Sequence, residues 1–314
     1  MRRELSADPD GQRLIERSVR RYRRAHAAYD RRHPEIFNPV EQARLRAALE
    51  RACDAAPGTR VLDFGCGSGN VTAHLVELGM EVTAADVSPE FLRKVERRLG
   101  VETLHLNGRD LAGIPDESFD LVAAYSVLHH IPDYLVAVRE LGRVVRPGGI
   151  VYIDHEANDG FWAPDGCAHH LRVEWQRRRL ESPALWNPER RRWQRYLMPA
   201  KYVLGVRLLF DPDYLFGREG DIHVWAEDRI EWDRVIEALA DAGCSVLWRD
   251  DYLNNNPEYP DDLYTSYRDG GCTDMTALAA RRGGPAPART ACPGGAHARA
   301  GARRPRPRPR AARA

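Results

Sequence analysis

The stretch Val61-Leu62-Asp63-Phe64-Gly65-Cys66-Gly67-Ser68-Gly69-Asn70 decides the fold. In it, a short apolar run ends in an acid and breaks into three alternating glycines, and a helical apolar pattern follows from Val71. This order predicts a strand, a tight turn and the start of a helix. Glycines in such a turn adopt backbone angles closed to other residues and let a ligand contact the main chain. Taken alone, the pattern is also compatible with an ordinary strand-to-helix turn.

Downstream of this stretch, short apolar runs alternate with helical patterns. Strands are predicted at 61–64, 81–86, 102–106, 119–125 and 150–154, helices at 70–78, 88–100 and 132–145, and a turn at 146–149. The pattern ends with a helix at 228–242 and strands at 244–252 and 273–280, separated by a loop over 254–271. This alternation predicts an α/β fold with a doubly wound parallel sheet. The last two strands, joined by a loop, are predicted to be antiparallel neighbours.

Three segments fall outside the alternation. Helical patterns at 11–30 and 40–55 predict either an N-terminal lid over the glycine loop or ordinary packing helices. Residues 156–226 contain five of the seven tryptophans and two runs of three arginines, which predict an inserted helical cap. The predicted domains are an N-terminal helical lid (1–57), a core (58–155), a substrate cap (156–226), the C-terminal part of the core (227–282) and a disordered basic tail (283–314).

Composition gives little support for several classes of function. The net charge of +1 includes a tail with eight arginines and no acid, but the chain has only two lysines, and a GC-rich genome would produce such an arginine bias. Arginine content is therefore weak support for nucleic-acid binding. The six cysteines are scattered without a Cys-x-x-Cys pair, which predicts neither a zinc site nor a disulfide framework. Neither a secretory signal nor a membrane span is indicated, so a cytoplasmic chain is expected.

Four features fall at the carboxyl ends of predicted strands, the edge that forms the ligand crevice of an open parallel sheet. They are the glycine loop, Asp86, the pair Asp110-Leu111, and the run Tyr125-Ser126-Val127-Leu128-His129-His130. Asp86 stands 17 residues past Gly69, where a carboxylate can accept hydrogen bonds from both ribose hydroxyls of a nucleoside. Asp110-Leu111 is suited to an adenine amino group and ring. Together these features predict a nucleotide cofactor.

The residue that separates two such cofactors is Asp63. A dinucleotide site has the spacing Gly-x-Gly-x-x-Gly, whereas Asn70 follows the third glycine here. Just before the loop, Asp63 would repel a pyrophosphate and attract the ammonium group of an amino acid. The sequence therefore favours S-adenosylmethionine over NAD.

With these motifs the chain resembles the class I S-adenosylmethionine-dependent methyltransferases of the small-molecule type. The resemblance covers roughly 58–155 and 228–281, and further motifs carry it: Phe119-Asp120-Leu121-Val122, Ser126-Val127-Leu128-His129-His130-Ile131-Pro132-Asp133 and Arg146-Pro147-Gly148-Gly149. It implies a Rossmann-like, seven-stranded sheet with a reversed last strand. It also implies that Asp63 and the loop amides hold the methionine portion, Asp86 the ribose, and Asp110 and Leu111 the adenine. The full predicted set is Asp63, Gly65, Cys66, Gly67, Gly69, Asp86, Val87, Asp110, Leu111, Ser126 and Val127.

Methyl transfer from a sulfonium is an in-line displacement, so the protein mainly aligns the acceptor and excludes water. A base is needed only where the acceptor carries a proton that must leave, as a hydroxyl does. His155 and Glu156, at the tip of the fifth strand, and His129, after the fourth, are the predicted catalytic residues. No metal ligands are predicted.

The predicted function is methyl transfer to a small-molecule or glycoside acceptor, at oxygen, in a biosynthetic pathway. An anionic or sugar-containing acceptor is one candidate, and nothing in the sequence excludes a homodimer. A membrane partner is not expected, and nucleic acid is disfavoured. The alternatives are N- or C-methylation of a small molecule, an RNA-directed enzyme that uses the basic tail, and a non-catalytic binder of S-adenosylmethionine.

Overall fold

The computed structural model describes residues 13–16, 19–20, 29–181 and 221–284 of the 314-residue chain. Most of the first predicted helix, the middle of the predicted cap and nearly all of the basic tail lie outside these ranges. Within them, none of the helices has both the length and the apolar character needed to cross a bilayer.

The described elements follow the predicted order. The strands are β1 (Arg60–Phe64), β2 (Glu81–Asp86), β3 (Glu102–His105), β4 (Phe119–Tyr125), β5 (Val145–Ala157), β6 (Cys244–Tyr252) and β7 (Met275–Arg282). The helices are α1 (Tyr29–Arg32), α2 (Pro39–Ala55), α3 (Asn70–Glu77), α4 (Pro89–Leu99), α5 (Tyr134–Val144), α6 (Asp159–Trp162), α7 (Cys167–Glu181), α8 (Trp232–Asp241) and α9 (Asp261–Asp269), with a 3-10 turn at Leu128–His130.

The strands form a single seven-stranded sheet in the order β3-β2-β1-β4-β5-β7-β6. The first five are mutually parallel, and β7 is antiparallel to both of its neighbours. The predicted Rossmann-like α/β sheet with a reversed last strand is therefore confirmed. The order reverses between β1 and β4, which opens a crevice at the carboxyl ends of these two strands.

Helices cover both faces of the sheet, which explains why β4 is buried along its whole length. On one face, α5 and α8 contribute Leu141 and Val235 to the larger apolar cluster. On the other face, α2 and α3 contribute Leu45, Leu49 and Leu75, each fully buried. Helix α2 is thus part of the core, and any lid is confined to the residues before it.

Local signals set the helix starts. Asn38 caps α2, with its side-chain oxygen accepting hydrogen bonds from the amides of Val40 and Glu41 at 3.1 and 3.0 Å. Ser88 caps α4 in the same way. In both helices proline occupies the first turn, where its missing N–H costs nothing.

Two local predictions are wrong. The predicted turn at 146–149 is part of β5, because a register shift against β4 and a positive φ of 82° at Gly148 absorb the glycines inside the strand. The predicted loop at 254–271 contains α9, which packs Leu263 and Tyr264 against the beginning of α7. The acidic first turn of α9 was a usable helix signal.

The absence of a predicted disulfide is also corrected. Cys167 and Cys272 form a disulfide that joins α7 to the residues before β7. Their separation of 105 residues has no counterpart in local spacing, so only the tertiary fold reveals the pair. The described start of the predicted cap is therefore tied covalently to the C-terminal part of the core.

Candidate functional site

A cleft lies at the carboxyl ends of β1, β2 and β4, at the reversal point of the sheet. It encloses about 1160 Å³, its open mouth included. Its lining residues come from the glycine loop, the end of β2, the chain from 106 to 111, and the turn after β4. Ten of the eleven predicted cofactor residues line it: Asp63, Gly65, Cys66, Gly67, Asp86, Val87, Asp110, Leu111, Ser126 and Val127.

The exception is Gly69, which is turned away from the cleft. It is the N-cap of α3 with a φ of 85°, and its amide donates to the carbonyl of Cys66 at 2.8 Å. Its own carbonyl accepts a hydrogen bond from Arg98 Nη2 at 2.8 Å. Gly69 therefore fixes the conformation of the loop on the side away from the cleft.

The other two glycines of the loop face the cleft in different ways. Gly65 has a φ of 75°, and a Cβ placed on it would come within 2.3 Å of Val127 Cγ2, so the turn after β4 packs directly on the loop. Gly67 has a φ of 49°, and a Cβ on it would have no neighbour closer than 4.0 Å. The space beside Gly67 is therefore open for a ligand that contacts the main chain.

Asp63 lies at the floor of the cleft and is 1% exposed. Its carboxylate accepts a hydrogen bond from Thr72 Oγ1 at 2.5 Å. Burial raises the pKa of Asp63 to about 7; the bond from Thr72 opposes this, and the nearby Asp86 adds to it. A cationic ligand group beside Asp63 would favour the ionised carboxylate.

Asp86 ends β2 and holds the glycine loop in place. One carboxylate oxygen accepts from the amide of Gly67 at 2.9 Å and the other from the amide of Ser88 at 2.8 Å. Burial raises the pKa of Asp86 to about 6, against the lowering effect of these backbone bonds. A ligand hydroxyl in the cleft would find a carboxylate already fixed by the backbone.

The charges that line the cleft suit a cation. Three carboxylates, Asp63, Asp86 and Asp110, face it, and Arg109 is the one Lys or Arg among the lining residues that the model describes. Asn70 also lines the cleft, and its Nδ2 is buried without a hydrogen-bond partner. An amide donor beside buried carboxylates fits the carboxylate and ammonium groups of an amino acid and disfavours a pyrophosphate. The residues present therefore fit S-adenosylmethionine.

The predicted catalytic residues lie behind the wall of the cleft. His155, Glu156 and His129 are absent from its lining residues, so the expectation that His155 and Glu156 face the crevice is wrong. His155 has a φ of 61° at a register shift in β5, and the two neighbouring side chains enter separate hydrogen-bond networks. A bulge that re-aims side chains leaves no signal in the sequence pattern.

Glu156 fixes the turn after β4. Its Oε1 accepts from the amides of Val127 and Leu128 at 2.9 and 2.7 Å, and its Oε2 lies 2.8 Å from His129 Nδ1. Burial acts to raise the pKa of Glu156, but His129 and the backbone bonds outweigh it and hold this pKa below its usual range. A buried carboxylate of this kind positions Val127, which lines the cleft.

His155 packs behind Tyr125, on the side of that ring away from the cleft. Its ring stacks on Tyr125, which lines the cleft, with centroids 4.9 Å apart and planes at 19°. Its Nδ1 lies 3.2 Å from the Tyr252 hydroxyl and 3.6 Å from Glu41 Oε1. The side chain is 6% exposed, so His155 contacts the cleft through Tyr125.

Sequence analysis did not predict the buried ion cluster centred on Arg44. Its guanidinium lies 2.5 Å from Glu41 and 2.9 Å from Asp154, both almost fully buried, and 3.8 Å above the ring of Tyr252. Burial acts to raise the pKa of Glu41, but hydrogen bonds to His155 and Arg44 keep it lowered. The cluster ties α2 to the ends of β5 and β6, and no spacing in the sequence connects these elements.

The apolar entrance of the cleft was also unassigned. Tyr29 and Phe37 line it ahead of α2, with Phe91 opposite, and the rings of Tyr29 and Phe91 meet edge to face at 5.6 Å. Ile15 lines the cleft beside Gly108. Tyr29, Ile36 and Phe37, apolar side chains before Pro39 that line the cleft, were the available signal, and the lid stays a prediction for the residues before α2.

At the opposite end of the cleft, His130 and Ile131 are lining residues. Burial and the neighbouring His129 lower the pKa of His130, while Asp221 acts in the opposite direction. His130 Nδ1 lies 3.2 Å from Asp221 Oδ1. His130 is therefore the histidine that reaches the cleft from the predicted His129-His130 pair.

Comparison with known families assigns the central part of the chain. The family described as a methyltransferase domain matches residues 62–153. The match runs from β1 into β5 and includes Asp63, the glycine loop and Asp86. The predicted class I S-adenosylmethionine-dependent methyltransferase family, and with it the predicted cofactor, is confirmed for this segment.

Curated relatives match a similar part of the chain. The ubiquinone biosynthesis O-methyltransferase of Xanthomonas campestris pv. campestris (strain B100) is 36% identical over 122 residues, which cover 37% of this chain and 49% of the relative. The protein of the same name from Xanthomonas oryzae pv. oryzae (strain PXO99A) is 37% identical over 123 residues, with the same coverage. The chain thus spans about half the length of the curated relatives it matches.

Solved structures resemble the chain over a larger part at low identity. A Mesorhizobium loti S-adenosylmethionine-dependent methyltransferase is 18% identical with a TM-score of 0.49, covering 79% of this chain and 98% of the other. The Burkholderia thailandensis 1,6-didemethyltoxoflavin-N1-methyltransferase, with bound 1,6-didemethyltoxoflavin and S-adenosylhomocysteine, is 17% identical with a TM-score of 0.47, covering 90% of this chain and 94% of the other.

Proposed function

Residues 62–153 form a class I S-adenosylmethionine-dependent methyltransferase domain, and from this premise we propose that the chain methylates a small-molecule acceptor at oxygen, in a biosynthetic pathway. When bound, the cofactor supplies an electrophilic methyl group on a sulfonium. Asp63, Asn70 and the loop amides would hold its amino-acid end and Asp86 its ribose. Asp110 and Leu111 would hold the adenine.

The observation that carries the proposal is the acidic floor of the cleft. Asp63 and Asp86 are both buried, both have raised pKa values, and neither has a Lys or Arg partner in the described network. Leaving two carboxylates in this state is costly for the free protein, and a cationic ligand would relieve the cost. A sulfonium amino acid is such a ligand.

The acceptor would enter at the end of the cleft formed by Tyr125, His130 and Ile131. A mostly apolar wall with one imidazole suits a small organic acceptor that carries few polar groups. The names of the curated relatives, ubiquinone biosynthesis O-methyltransferases, support oxygen as the acceptor atom. We assign His155, Glu156 and His129 as positioning residues, because each acts on the cleft through Tyr125, Val127 or His130.

Several further predictions from the sequence are also proposals. The domain boundaries at 226/227 and 282/283, a homodimer and an anionic or sugar-containing acceptor are such proposals. The predicted boundary at 57/58 separates the core helix α2 from β1, and the one at 155/156 falls inside β5. A cytoplasmic location also stays a prediction, and the disulfide between Cys167 and Cys272 would be unusual in a reducing compartment.

Isothermal calorimetry with S-adenosylmethionine and S-adenosylhomocysteine tests the cofactor assignment. Labelled-methyl transfer to matched phenols, alcohols and amines then tests the acceptor atom. We expect binding of one cofactor per chain, and transfer to hydroxyls in preference to amines. Absence of binding would overturn the proposed function, and transfer to amines alone would overturn the assignment of oxygen.

A further inference from the structure

Three side chains meet beside the acceptor end of the cleft: His129, His130 and Asp221. One potential ligand atom from each lies within 4.8 Å of the others, and all three residues are half-buried. The histidines come from the 3-10 turn after β4, and Asp221 from the segment that precedes α8. His130 also lines the cleft, so this cluster touches the space where the acceptor would enter.

The backbone holds the three residues together. The amides of Ile222 and His223 donate to the carbonyl of His129 at 2.8 and 3.2 Å. His223 adds a side-chain bond, with its Nε2 3.0 Å from the carbonyl of Ile131. The two residues after Asp221 therefore pair with the main chain of His129 across 93 and 94 positions of sequence, and this pairing brings Asp221 to the histidines.

Glu156 orients the first of the two histidines. Its Oε2 lies 2.8 Å from His129 Nδ1, so Nε2 is the ring nitrogen on the side away from this carboxylate. Metal-binding histidines regularly place one ring nitrogen on a carboxylate and the other on the metal, because the carboxylate fixes the tautomer and makes the imidazole more basic. Glu156 is itself fixed by two backbone amides.

The spacing of the second histidine and the aspartate is compatible with a shared ion. His130 Nδ1 and Asp221 Oδ1 are 3.2 Å apart. Two ligands bound to one tetrahedral zinc ion at about 2.0–2.2 Å lie roughly 3.4 Å from each other. Two imidazoles and one carboxylate are the ligands of open, three-residue sites for zinc and neighbouring transition metals, whereas magnesium and calcium prefer oxygen.

We propose that His129, His130 and Asp221 bind a divalent transition-metal ion, with zinc as the reference, at the acceptor end of the cleft. Three protein ligands leave one coordination position open in a four-coordinate ion and two in a five-coordinate one. An acceptor oxygen in an open position would be oriented toward the cofactor part of the cleft, and its hydroxyl would lose its proton to solvent more readily. The role in acceptor binding rests on the proposed function, and metal binding itself does not.

The acceptor class follows from the open site. An ion that expands from four to five ligands has two open positions, which favours a hydroxyl with a second oxygen donor on the adjacent carbon because both oxygens can bind the ion. The inference therefore narrows the acceptor to vicinal oxygen compounds, such as catechols, α-hydroxy carbonyls or sugar diols. A monohydroxyl acceptor of the same size would gain less from the metal.

The test uses the untagged full chain, treated with a chelator, dialysed, and titrated with Zn²⁺ and with Co²⁺. Elemental analysis counts bound metal, and the visible spectrum of Co²⁺ reports nitrogen–oxygen coordination. We expect about one ion per chain in the wild type. Asp221→Asn and His130→Gln should weaken binding at least tenfold, and Glu156→Gln, which acts through His129, about tenfold to 100-fold. His170→Ala, at an exposed histidine, should bind as the wild type does.

Circular dichroism establishes that each variant is folded, and calorimetry with S-adenosylmethionine is run on the same samples. No stoichiometric Zn²⁺ and no Co²⁺ spectrum in the wild type would overturn the site, whatever the variants do. Equal metal binding by Asp221→Asn and wild type would do the same, leaving His130–Asp221 as a plain ion pair. Metal binding without cofactor binding would support the metal site and overturn the proposed function. Cofactor binding without metal binding would support the proposed function and overturn the metal site.

Discussion

The two ends of the cleft are built in different ways. At the cofactor end, Asp63, the glycine loop and Asp86 lie within one β-α-β unit, and their contacts are mostly with one another. At the acceptor end, the Arg44 cluster joins α2 to β5 across 110 positions, and His155 meets Tyr252 across 97. One end is made by the local chain, and the other by the packing of distant elements.

This difference predicts whether a mutation lowers ligand affinity or stability more. Cofactor-end residues contact mainly one another and the cleft, so their loss should lower cofactor affinity more than stability. Acceptor-end residues balance buried charges, so their loss should lower stability first. Four predictions test this contrast, from the largest expected effect to the smallest.

Arg44→Ala should destabilise the protein by about 3–5 kcal/mol, because Glu41 and Asp154 would be left buried without their cation. Urea denaturation measures the change in the free energy of unfolding. Arg46→Ala is the matched control on the same helix, because its partners Glu50 and Glu77 are exposed and such pairs contribute about 0–1 kcal/mol. Equal losses in the two variants would remove the contrast.

Cys167→Ser should lower the free energy of unfolding by about 2–4 kcal/mol, because the disulfide joins α7 to the chain before β7 across 105 positions of sequence. Thiol titration under denaturing conditions gives the prior check: reduction should release two thiols, those of Cys167 and Cys272, that do not react before it. Cys53→Ser, at a buried free thiol, is the comparison. Six reactive thiols in the untreated chain would contradict the disulfide.

Asp86→Ala should weaken S-adenosylmethionine binding about 100-fold, because it removes the predicted ribose acceptor and releases the amides of Gly67 and Ser88. Calorimetry measures the affinity. Asp241→Asn, an exposed carboxylate paired with Arg139, should leave the affinity unchanged. If the variant lost more free energy of unfolding than free energy of cofactor binding, Asp86 would behave like the acceptor-end residues and the contrast would fail.

Cofactor affinity should rise about tenfold between pH 6 and pH 8 as Asp63 ionises, given a pKa of about 7 in the free protein. The affinity rises with pH because the ionised carboxylate of Asp63 attracts the ammonium group of the cofactor, whereas the protonated carboxyl does not. By the same linkage, the free protein loses stability as pH rises from about 4 to 7, because the unfolded chain releases this proton first. Asp63→Asn should flatten both profiles, and an unchanged profile would exclude Asp63 as the titrating group.

The residues at the cofactor end could be located from the sequence because their signals are local, and their binding roles stay predictions. Asp63, the glycines and Asp86 sit at fixed places in a strand-turn-helix-strand unit, and ten of eleven assigned residues line the cleft. Gly69 failed because spacing locates a glycine but cannot say which way its backbone faces. His155 and Glu156 failed because a bulge in β5 turned both side chains away from the crevice.

The sequence by itself determined the α/β sheet, its helix starts and the identity of the cofactor, since these follow from periodicity and from residues close in the chain. The tertiary structure alone decided which side chains stand behind the acceptor wall, the Cys167–Cys272 disulfide, and the meeting of Asp221 with the two histidines. The disulfide and the contact of Asp221 with the histidines join residues about a hundred positions apart. Such pairs are set by how helices and strands pack, and packing leaves no regular spacing in the sequence.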